Sequence, residues 1–234
     1  MNLLLLHGED FITEDRVLVN DRRAEHIRTI LKAKPGDTVK AGRAGGLMGE
    51  AVIESDAPDG ISLRVNLSEA PPEPLPVTLL LAMPRPIAFR RMLPWITAFG
   101  VKNIHLFNAF KVEKSYWTSS VFGEFQELMT LGLEQARDTV YPEITQHQRF
   151  KIFAEDEVPG IIAGTLPLVA HPGSGEVCPA AVAGAVTVCI GPEGGFTDYE
   201  IELLIKQGFR AVGLGARILR SETAVPAILG RLLT

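Results

Sequence analysis

The chain has 234 residues, of which 46% are hydrophobic and 22% charged, and its formal net charge is −5. This composition is typical of a globular protein with a hydrophobic core, and it excludes a chain that is disordered throughout. The longest apolar runs, residues 75–83 and 180–190, are shorter than the roughly 18–20 residues that a membrane-crossing helix needs. Residues 1–7 lack the basic region and the length of a signal peptide, so we expect a cytoplasmic protein without a membrane span.

The residues that most often bind metals show no ligand spacing. Cys178 and Cys189 have no second pair, which fits neither a zinc ribbon nor a Cys-x-x-Cys motif, and we expect both to be small buried residues. We therefore predict no metal site. The same holds for the histidines, which are His7, His26, His105, His147 and His171.

The net charge of −5 is distributed unevenly. Residues 1–70 and residues 151–234 each carry a net charge of −3, whereas residues 75–150 carry eight basic and six acidic side chains. A polyanion is therefore expected to meet the middle of the chain. A solvated helix face is the alternative, because a net charge of +2 is small.

Prolines at positions 71, 72, 74 and 76 mark residues 71–76 as a linker, because they can support neither a helix nor a central strand. Before it, short segments separated by glycine-containing turns predict a small antiparallel barrel over residues 1–70. A helix is predicted over 24–33, where apolar residues recur at helical spacing. The predicted strands are 17–19, 38–41, 48–55 and 61–67.

After the linker, apolar strands alternate with helical stretches over residues 77–234, which predicts an α/β fold with a parallel sheet. Thr197 and Glu200 form a capping box that marks the start of one helix. The predicted strands are 77–83, 103–107, 166–170, 186–190 and 211–214. The predicted helices are 89–99, 122–138, 198–207 and 222–233.

Three loops that follow predicted strands are candidates for ligand binding, because open α/β sheets bind ligands at the carboxyl ends of their strands. They comprise residues 169–173, 190–196 and 214–224. The second has three glycines in five positions, which would let the backbone approach a flat ligand such as an adenine ring; a tight strand-to-helix turn is the alternative. The sequence contains no Gly-x4-Gly-Lys-Ser/Thr, Gly-x-Gly-x-x-Gly or Gly-x-Ser-x-Gly pattern. Nucleoside triphosphates, dinucleotides and acyl transfer are therefore disfavoured.

The sequence IGPEGGF at 190–196, followed by LGARILRSETA at 214–224, resembles the paired signature of the RsmE-type 16S ribosomal RNA uridine-N3 methyltransferases. That family belongs to the SPOUT superfamily, whose members use S-adenosylmethionine and contain an α/β trefoil knot. The resemblance extends to residues 26–32 and to the middle of the chain. It implies a PUA-like β-barrel RNA-binding domain over 1–70, a SPOUT α/β-knot methyltransferase domain over 77–234, and a homodimer that acts on 16S ribosomal RNA or the small ribosomal subunit.

The resemblance also implies roles for individual residues. A cation beside the uracil oxygens would stabilise the anion that forms when N3 loses its proton, and we assign this role to Arg220, with Arg137 as second choice. Glu134 would orient an arginine or accept the proton. The alternatives are a helix-start salt bridge from Arg220 to Glu222 and a surface carboxylate at Glu134. The predicted cofactor-binding residues are Val169, His171, Gly191, Pro192, Gly194, Gly195, Leu214, Gly215, Ile218, Leu219 and Ala224.

RNA binding is predicted for a basic surface shared by the two parts of the chain, with one aromatic ring available for stacking. In the first part it would consist of Arg22, Arg23, Arg28 and Lys32. In the second part it would consist of Arg85, Lys111, Lys114 and Trp117.

The chain departs from the family pattern in the parts expected to face the substrate. Ala98 replaces a glutamate, Trp95 replaces a lysine next to Pro94, Lys32 replaces an arginine, and Arg137 lies one position early. Two alternatives therefore stay open. The chain could be a non-catalytic RNA-binding or ribosome-assembly protein that retains the knot fold, or a methyltransferase for a different nucleotide.

Overall fold

The computed structural model describes residues 1–233, which form two compact units. The first consists of Met1–Glu73 together with Met129–Tyr141, and the second consists of Pro74–Leu128 together with the chain from Pro142 onward. The division of the chain at a linker over 71–76 does not anticipate that residues 129–141 belong to the first unit.

The first unit contains a five-stranded sheet with the strand order β1-β3-β4-β5-β2. β1 pairs with β3 in parallel, and the other pairs are antiparallel. The strands are β1 (Leu4–Leu6), β2 (Arg16–Val19), β3 (Thr38–Arg43), β4 (Met48–Ala57) and β5 (Gly60–Glu69). The last four contain the strands predicted for this part of the chain.

β1 was not predicted because both of its faces are buried. Leu4 and Leu6 belong to the main core of the unit, whereas Leu3 and Leu5 pack with Leu133 in a second cluster. A strand that is apolar on both faces shows no period of two residues, so its sequence carries no alternation to detect.

The helix predicted over 24–33 divides into two parts. Helix α1 (Arg22–His26) begins at Asp21, whose carboxylate accepts a hydrogen bond from the Arg23 N–H. It continues as a wider π-helical turn, Ile27–Leu31, and ends at Lys32, which adopts a left-handed conformation with φ of 52°.

The second unit contains a six-stranded sheet in which neighbouring strands are parallel, with the order β11-β9-β10-β6-β7-β8. The α/β fold with a parallel sheet is therefore confirmed. The strands are β6 (Leu75–Ala82), β7 (Val101–Phe107), β8 (Glu143–His147), β9 (Leu166–Ala170), β10 (Val186–Ile190) and β11 (Arg210–Val212). β8 was not predicted, because this short edge strand carries polar residues on both faces.

Four helices correspond to the predicted ones with shifted ends, whereas the helical segment over 150–161 was not predicted. The helix predicted over 122–138 is shorter, because a 3-10 turn at Ser120–Glu124 precedes it and Arg137 adopts a left-handed conformation with φ of 57°. The remaining helices are α2 (Pro86–Ala98), α3 (Phe125–Ala136), α4 (Phe150–Ile152), α5 (Val158–Ile161), α6 (Asp198–Lys206) and α7 (Ser221–Leu233). Within residues 1–233, no helix combines the length and the apolar character needed to cross a membrane.

β10 lies in the middle of the sheet, between β9 and β6, and all five of its residues are buried. Because the strands are parallel, β9, β10 and β11 all end at the same edge of the sheet. The three loops that follow these neighbouring strands are thereby brought together.

Two histidines on neighbouring strands form a hydrogen-bonded chain. The Thr145 hydroxyl on β8 lies 2.7 Å from His105 Nδ1 on β7 and 3.0 Å from His147 Nε2. His147 Nδ1 lies 3.0 Å from Glu157 Oε2. Burial, and secondly the neighbouring His147, lower the pKa of His105 to about 4, whereas Glu157 acts in the opposite direction. His105 is therefore neutral at pH 7.

We predict that His105 makes the stability of the protein fall as the solution is acidified from about pH 6.5 towards pH 4. In that range the unfolded chain binds a proton at His105, whose ordinary pKa is about 6.5, and the folded chain does not, so unfolding is favoured. His105→Asn should show a smaller drop in melting temperature than the wild type between about pH 7.5 and pH 5, measured by circular dichroism. Equal drops in the two proteins would contradict the prediction.

Candidate functional site

A cavity of about 420 Å³ opens at the carboxyl edge of the parallel sheet, where β9, β10 and β11 end. All three loops that the sequence marks as candidates contribute to it. Its lining residues are Ala170, His171, Pro172, Ile190, Gly191, Pro192, Glu193, Gly194, Gly195, Phe196, Val212, Gly213, Leu214, Gly215, Arg217, Ile218, Leu219, Ser221 and Ala224.

The glycine loop, residues 191–195, is shaped by packing as well as by its turn. Gly195 adopts a left-handed conformation with φ of 71°, which glycine tolerates best. A Cβ atom on Gly191 would lie 2.9 Å from the ring of Phe196. That ring stacks on Phe107, with 6.2 Å between the ring centroids and an interplanar angle of 6°. Gly191 is therefore required by the packing of Phe196, and not only by the approach of a ligand.

The loops after β9 and β11 are joined to each other by backbone hydrogen bonds. The His171 N–H donates to the Val212 carbonyl at 3.0 Å, and the Gly213 N–H donates to the Glu176 carbonyl at 2.8 Å. The Cys178 N–H donates back to the Gly213 carbonyl at 2.9 Å. These bonds fix two walls of the cavity through the backbone.

The loop after β11 leads into α7 and presents both apolar and polar groups. Ile218 lines the cavity although its side chain is 82% exposed. The Arg220 carbonyl accepts hydrogen bonds from the N–H groups of Thr223 and Ala224, which fixes the start of α7. The Ser221 hydroxyl is buried beside the cavity and has no hydrogen-bond partner within residues 1–233. Since buried polar groups are normally paired, this hydroxyl is available to a ligand.

A further loop is attached to the glycine loop from the side of β7. We call residues 108–118 the basic loop, because it carries Lys111 and Lys114. The Lys111 ammonium donates to the Gly194 carbonyl at 2.8 Å. Arg85, which precedes α2, donates its backbone N–H to Glu193 Oε1 at 3.0 Å. The glycine loop is therefore held from outside the cavity by two basic residues.

The structure places nearly all predicted cofactor-binding residues around the cavity, but it does not place Val169 there. Val169 is fully buried within β9, where it pairs with Cys189 and Ala211. Ala170 and His171, one and two residues closer to the carboxyl edge, line the cavity instead. The predicted residues that line it are His171, Gly191, Pro192, Gly194, Gly195, Leu214, Gly215, Ile218, Leu219 and Ala224.

The three predicted catalytic residues have different surroundings. The side chain of Arg220 is 83% exposed, and its Nη1 lies 3.9 Å from Glu222 Oε1, so this contact leaves the guanidinium largely open. Glu134 belongs to the first unit and is buried, with its two oxygens accepting hydrogen bonds from Arg22 at 2.8 and 3.0 Å. This geometry suits Glu134 to orienting an arginine and not to accepting a proton from a substrate. Arg137, also in the first unit, is exposed.

The structure contradicts the RNA-binding role predicted for Arg23. Its side chain is only 7% exposed, and its guanidinium donates to Asp10, to Asp21 and to the Leu5 carbonyl. These bonds commit Arg23 to the interior of the first unit, because a buried charge requires compensating partners. Arg23 therefore has no free face for RNA.

The other basic residues of the predicted RNA surface are exposed. Arg28 donates to Asp56 at 2.6 Å, and the Arg22 side chain remains 44% exposed beside Glu134. Lys32 and Lys114 are exposed, as are Arg85 and Lys111 beside the glycine loop.

The sequence interpretation missed three polar residues of the cavity, the first of which is Glu193 in the glycine loop. Arg217 and Ser221 lie in the loop over 214–224 that was singled out, yet neither was assigned a role. A serine at the start of a helix normally indicates a cap, which hides the alternative of an unpaired hydroxyl facing a cavity. For metals, residues 1–233 contain no group of three or more His, Cys, Asp or Glu side chains that could hold an ion.

Residues 71–233 match the model of the RNA methyltransferase domain family. Ribosomal RNA small subunit methyltransferase E of Treponema pallidum is 33% identical over 97% of this chain and 88% of its own length. The chain belongs to the ribosomal RNA small subunit methyltransferase E family.

Solved structures similar to this methyltransferase E family member agree on the fold. Ribosomal RNA small subunit methyltransferase E from Neisseria gonorrhoeae, bound to S-adenosyl methionine, superposes with a TM-score of 0.74 at 19% identity, over 98% of this chain and 95% of that one. A methyltransferase from Legionella pneumophila, solved with SAM, also gives 0.74, at 20% identity over 99% and 96%. At these identities the likeness establishes a shared fold.

We predict that Gly191→Ala lowers the free energy of unfolding of this methyltransferase E family member by about 1–3 kcal/mol, because the new Cβ atom would overpack the ring of Phe196. Gly175→Ala is the matched control, since no atom lies within 4 Å of its Cβ position. Chemical denaturation followed by fluorescence measures both. If Gly191→Ala is as stable as Gly175→Ala, the ring does not require the glycine.

Proposed function

We propose that the chain is an S-adenosylmethionine-dependent methyltransferase that methylates N3 of a uridine in 16S ribosomal RNA of the small subunit. The observation that carries this proposal is the cavity of about 420 Å³ built by the loops after β9, β10 and β11. Membership of the methyltransferase E family and the ligand-bound relative from Neisseria gonorrhoeae support the same assignment.

The residues of the cavity fit the proposed methyl donor. Apolar walls from Ile190, Leu214 and Leu219 suit a flat purine, and the glycine loop brings backbone groups close to it. The unpartnered Ser221 hydroxyl would supply a polar contact to the same ligand. When bound, S-adenosylmethionine supplies an electrophilic methyl group, and the chemistry of the transfer belongs to this cofactor.

The chain itself has to position the uridine and stabilise its anion. Uridine N3 is a weak acid that is hidden in a base pair, so the base must leave its helix at a cost of a few kcal/mol. Arg220, with its exposed guanidinium beside the cavity loop, would hold the negative charge on the uracil oxygens as N3 loses its proton. Arg137 is the second candidate for this role, and Glu134 would orient Arg22 on the RNA side.

The RNA would be held by cations on both units, namely Arg22, Arg28 and Lys32 in the first and Arg85, Lys111 and Lys114 in the second. All six are exposed, and such contacts to phosphates give affinity that falls with added salt. The net charge of −5 argues against indiscriminate coating of polyanions. We therefore expect the chain to bind structured RNA by recognising its shape.

The finer features of the architecture belong to the same proposal. The position of β10 between β9 and β6 supports a trefoil knot in a SPOUT domain over 77–234. The sheet of the first unit supports a PUA-like RNA-binding domain over 1–70, with 71–76 as linker. Exposed apolar side chains on α2, Ile87 and Trp95, support a homodimer. The place of action would be the cytoplasm, where the small ribosomal subunit is.

Deletion of the gene followed by mapping of modified bases tests the assignment. We expect one uridine of 16S ribosomal RNA to lose its N3 methyl group, and purified enzyme with S-adenosylmethionine to restore it. The cofactor alone, at about 100 times its dissociation constant, should stabilise the protein by about 2.7 kcal/mol in a thermal-shift assay. Donor binding without methylation of any nucleotide would favour an assembly protein, and loss of a methyl group elsewhere would favour a different target.

We predict that Arg220→Ala abolishes most turnover while leaving the affinity for S-adenosylmethionine unchanged, because its guanidinium acts on the uracil anion and not on the donor. A loss of about 100- to 1,000-fold in kcat is expected from the removal of one such charge-stabilising group. Calorimetry measures donor binding, and transfer of a labelled methyl group measures turnover. Glu222→Gln is the control that removes the salt bridge alone, and a similar loss in that variant would assign the effect to the helix start.

A further inference from the structure

Phe110, in the basic loop, is the feature of the second unit that the assignments above leave unexplained. Its side chain is 81% exposed, although aromatic rings normally contribute to cores. A single exposed apolar side chain is common on folded proteins and by itself indicates nothing. Phe110 differs from such residues in how its backbone is held and in what surrounds it.

The backbone of Phe110 is fixed by a buried carboxylate. Its N–H donates to Glu200 Oε1 at 2.7 Å, while Glu200 Oε2 accepts from the Thr197 N–H at 2.8 Å. Glu200 is only 3% exposed, and it caps helix α6 directly after the glycine loop. The next residue, Lys111, is bonded to the Gly194 carbonyl at 2.8 Å. The exposed ring is thus anchored to the start of α6 through its own N–H and to the glycine loop through the neighbouring Lys111.

Two basic residues, Lys111 and Lys114, follow Phe110 in the basic loop, together with one exposed acidic residue, Glu113. Both lysines are exposed. Arg85, also exposed, is attached to the glycine loop by its backbone N–H, which donates to Glu193 Oε1. Positive charge beside an open aromatic ring is the combination that binds unpaired nucleotides, since phosphates meet the cations and a base stacks on the ring.

We propose that Phe110 is a stacking platform for an unpaired base of the RNA, next to the uridine that enters the cavity. This proposal rests on the proposed function for its substrate. The backbone anchors hold the ring in place before RNA arrives, so little conformational freedom is lost on binding. The ring would then position the RNA strand for the cavity and act through the substrate, without contacting the methyl donor.

Replacement of the ring leaves the anchoring bonds intact, because they are made by the Phe110 N–H and by the Lys111 ammonium. Phe110→Ala should therefore fold normally and bind S-adenosylmethionine with unchanged affinity. Loss of one stacked base should weaken RNA binding by about 5- to 150-fold. We expect the weaker RNA binding to appear as a higher KM for small ribosomal subunits from the deletion strain. Phe110→Trp should retain the affinity, whereas Phe110→Leu should lose it, and Ile205→Ala, which removes another exposed side chain, is the control.

A second measurement reports stacking without methyl transfer. A single-stranded RNA of about ten nucleotides that carries 2-aminopurine should lose fluorescence on binding to the wild type and to Phe110→Trp, but less on binding to Phe110→Ala. The salt dependence of binding should be the same in Phe110→Ala, because no charge is removed.

Wild-type affinity in Phe110→Leu or Phe110→Ala, or equal quenching in all variants, would overturn the stacking proposal. A change of oligomeric state in Phe110→Ala, measured by sedimentation, would overturn it as well and would assign the ring to a subunit interface. Failure of the proposed function would instead appear as an absence of methylation by the wild type. The fluorescence measurement would still decide the role of Phe110 in that case.

Discussion

The position of β10 between β9 and β6 is the constraint on which the site depends. A strand in the middle of a parallel sheet is covered on both faces, and all five residues of β10 are buried, including Thr187, whose hydroxyl is hydrogen-bonded to Thr165. Because β10 pairs with β9, and β9 with β11, their following loops emerge side by side at one edge. The cavity is therefore a consequence of strand order, and its walls come from segments far apart in the sequence.

Packing behind the cavity fixes its shape. Phe196 stacks on Phe107 and leaves no room for a side chain at Gly191, so the glycine loop has to pass close to the ring. The buried Glu200 then connects this loop to the basic loop by bonding to the N–H of Phe110. Rigid loops reduce the entropy lost when a ligand is bound, which makes a site with few charged contacts effective.

Much of the fold and of the candidate site could be predicted from the sequence, because the long apolar strands and the loops that follow them, one of them rich in glycine, carry local signals. The predictions that failed were those that depend on contacts with residues distant in the sequence. The end of β9 was predicted correctly, but the burial of Val169 depends on its pairing with β10 and β11, and β8 carries polar residues whose strand pairing depends on β7. Arg23 appeared as a surface cation because Asp10, its partner 13 residues away, could not be identified from spacing.

The ion pairs in the structure show which basic residues remain available to bind phosphate. Arg23 is neutralised in the interior, and Arg28 is paired with Asp56, so part of the apparent basic surface of the first unit is already compensated. In the second unit, the Lys111 ammonium donates to a backbone carbonyl, and this contact does not neutralise its charge. Lys111 therefore places a positive charge beside the glycine loop, which itself carries the carboxylate of Glu193.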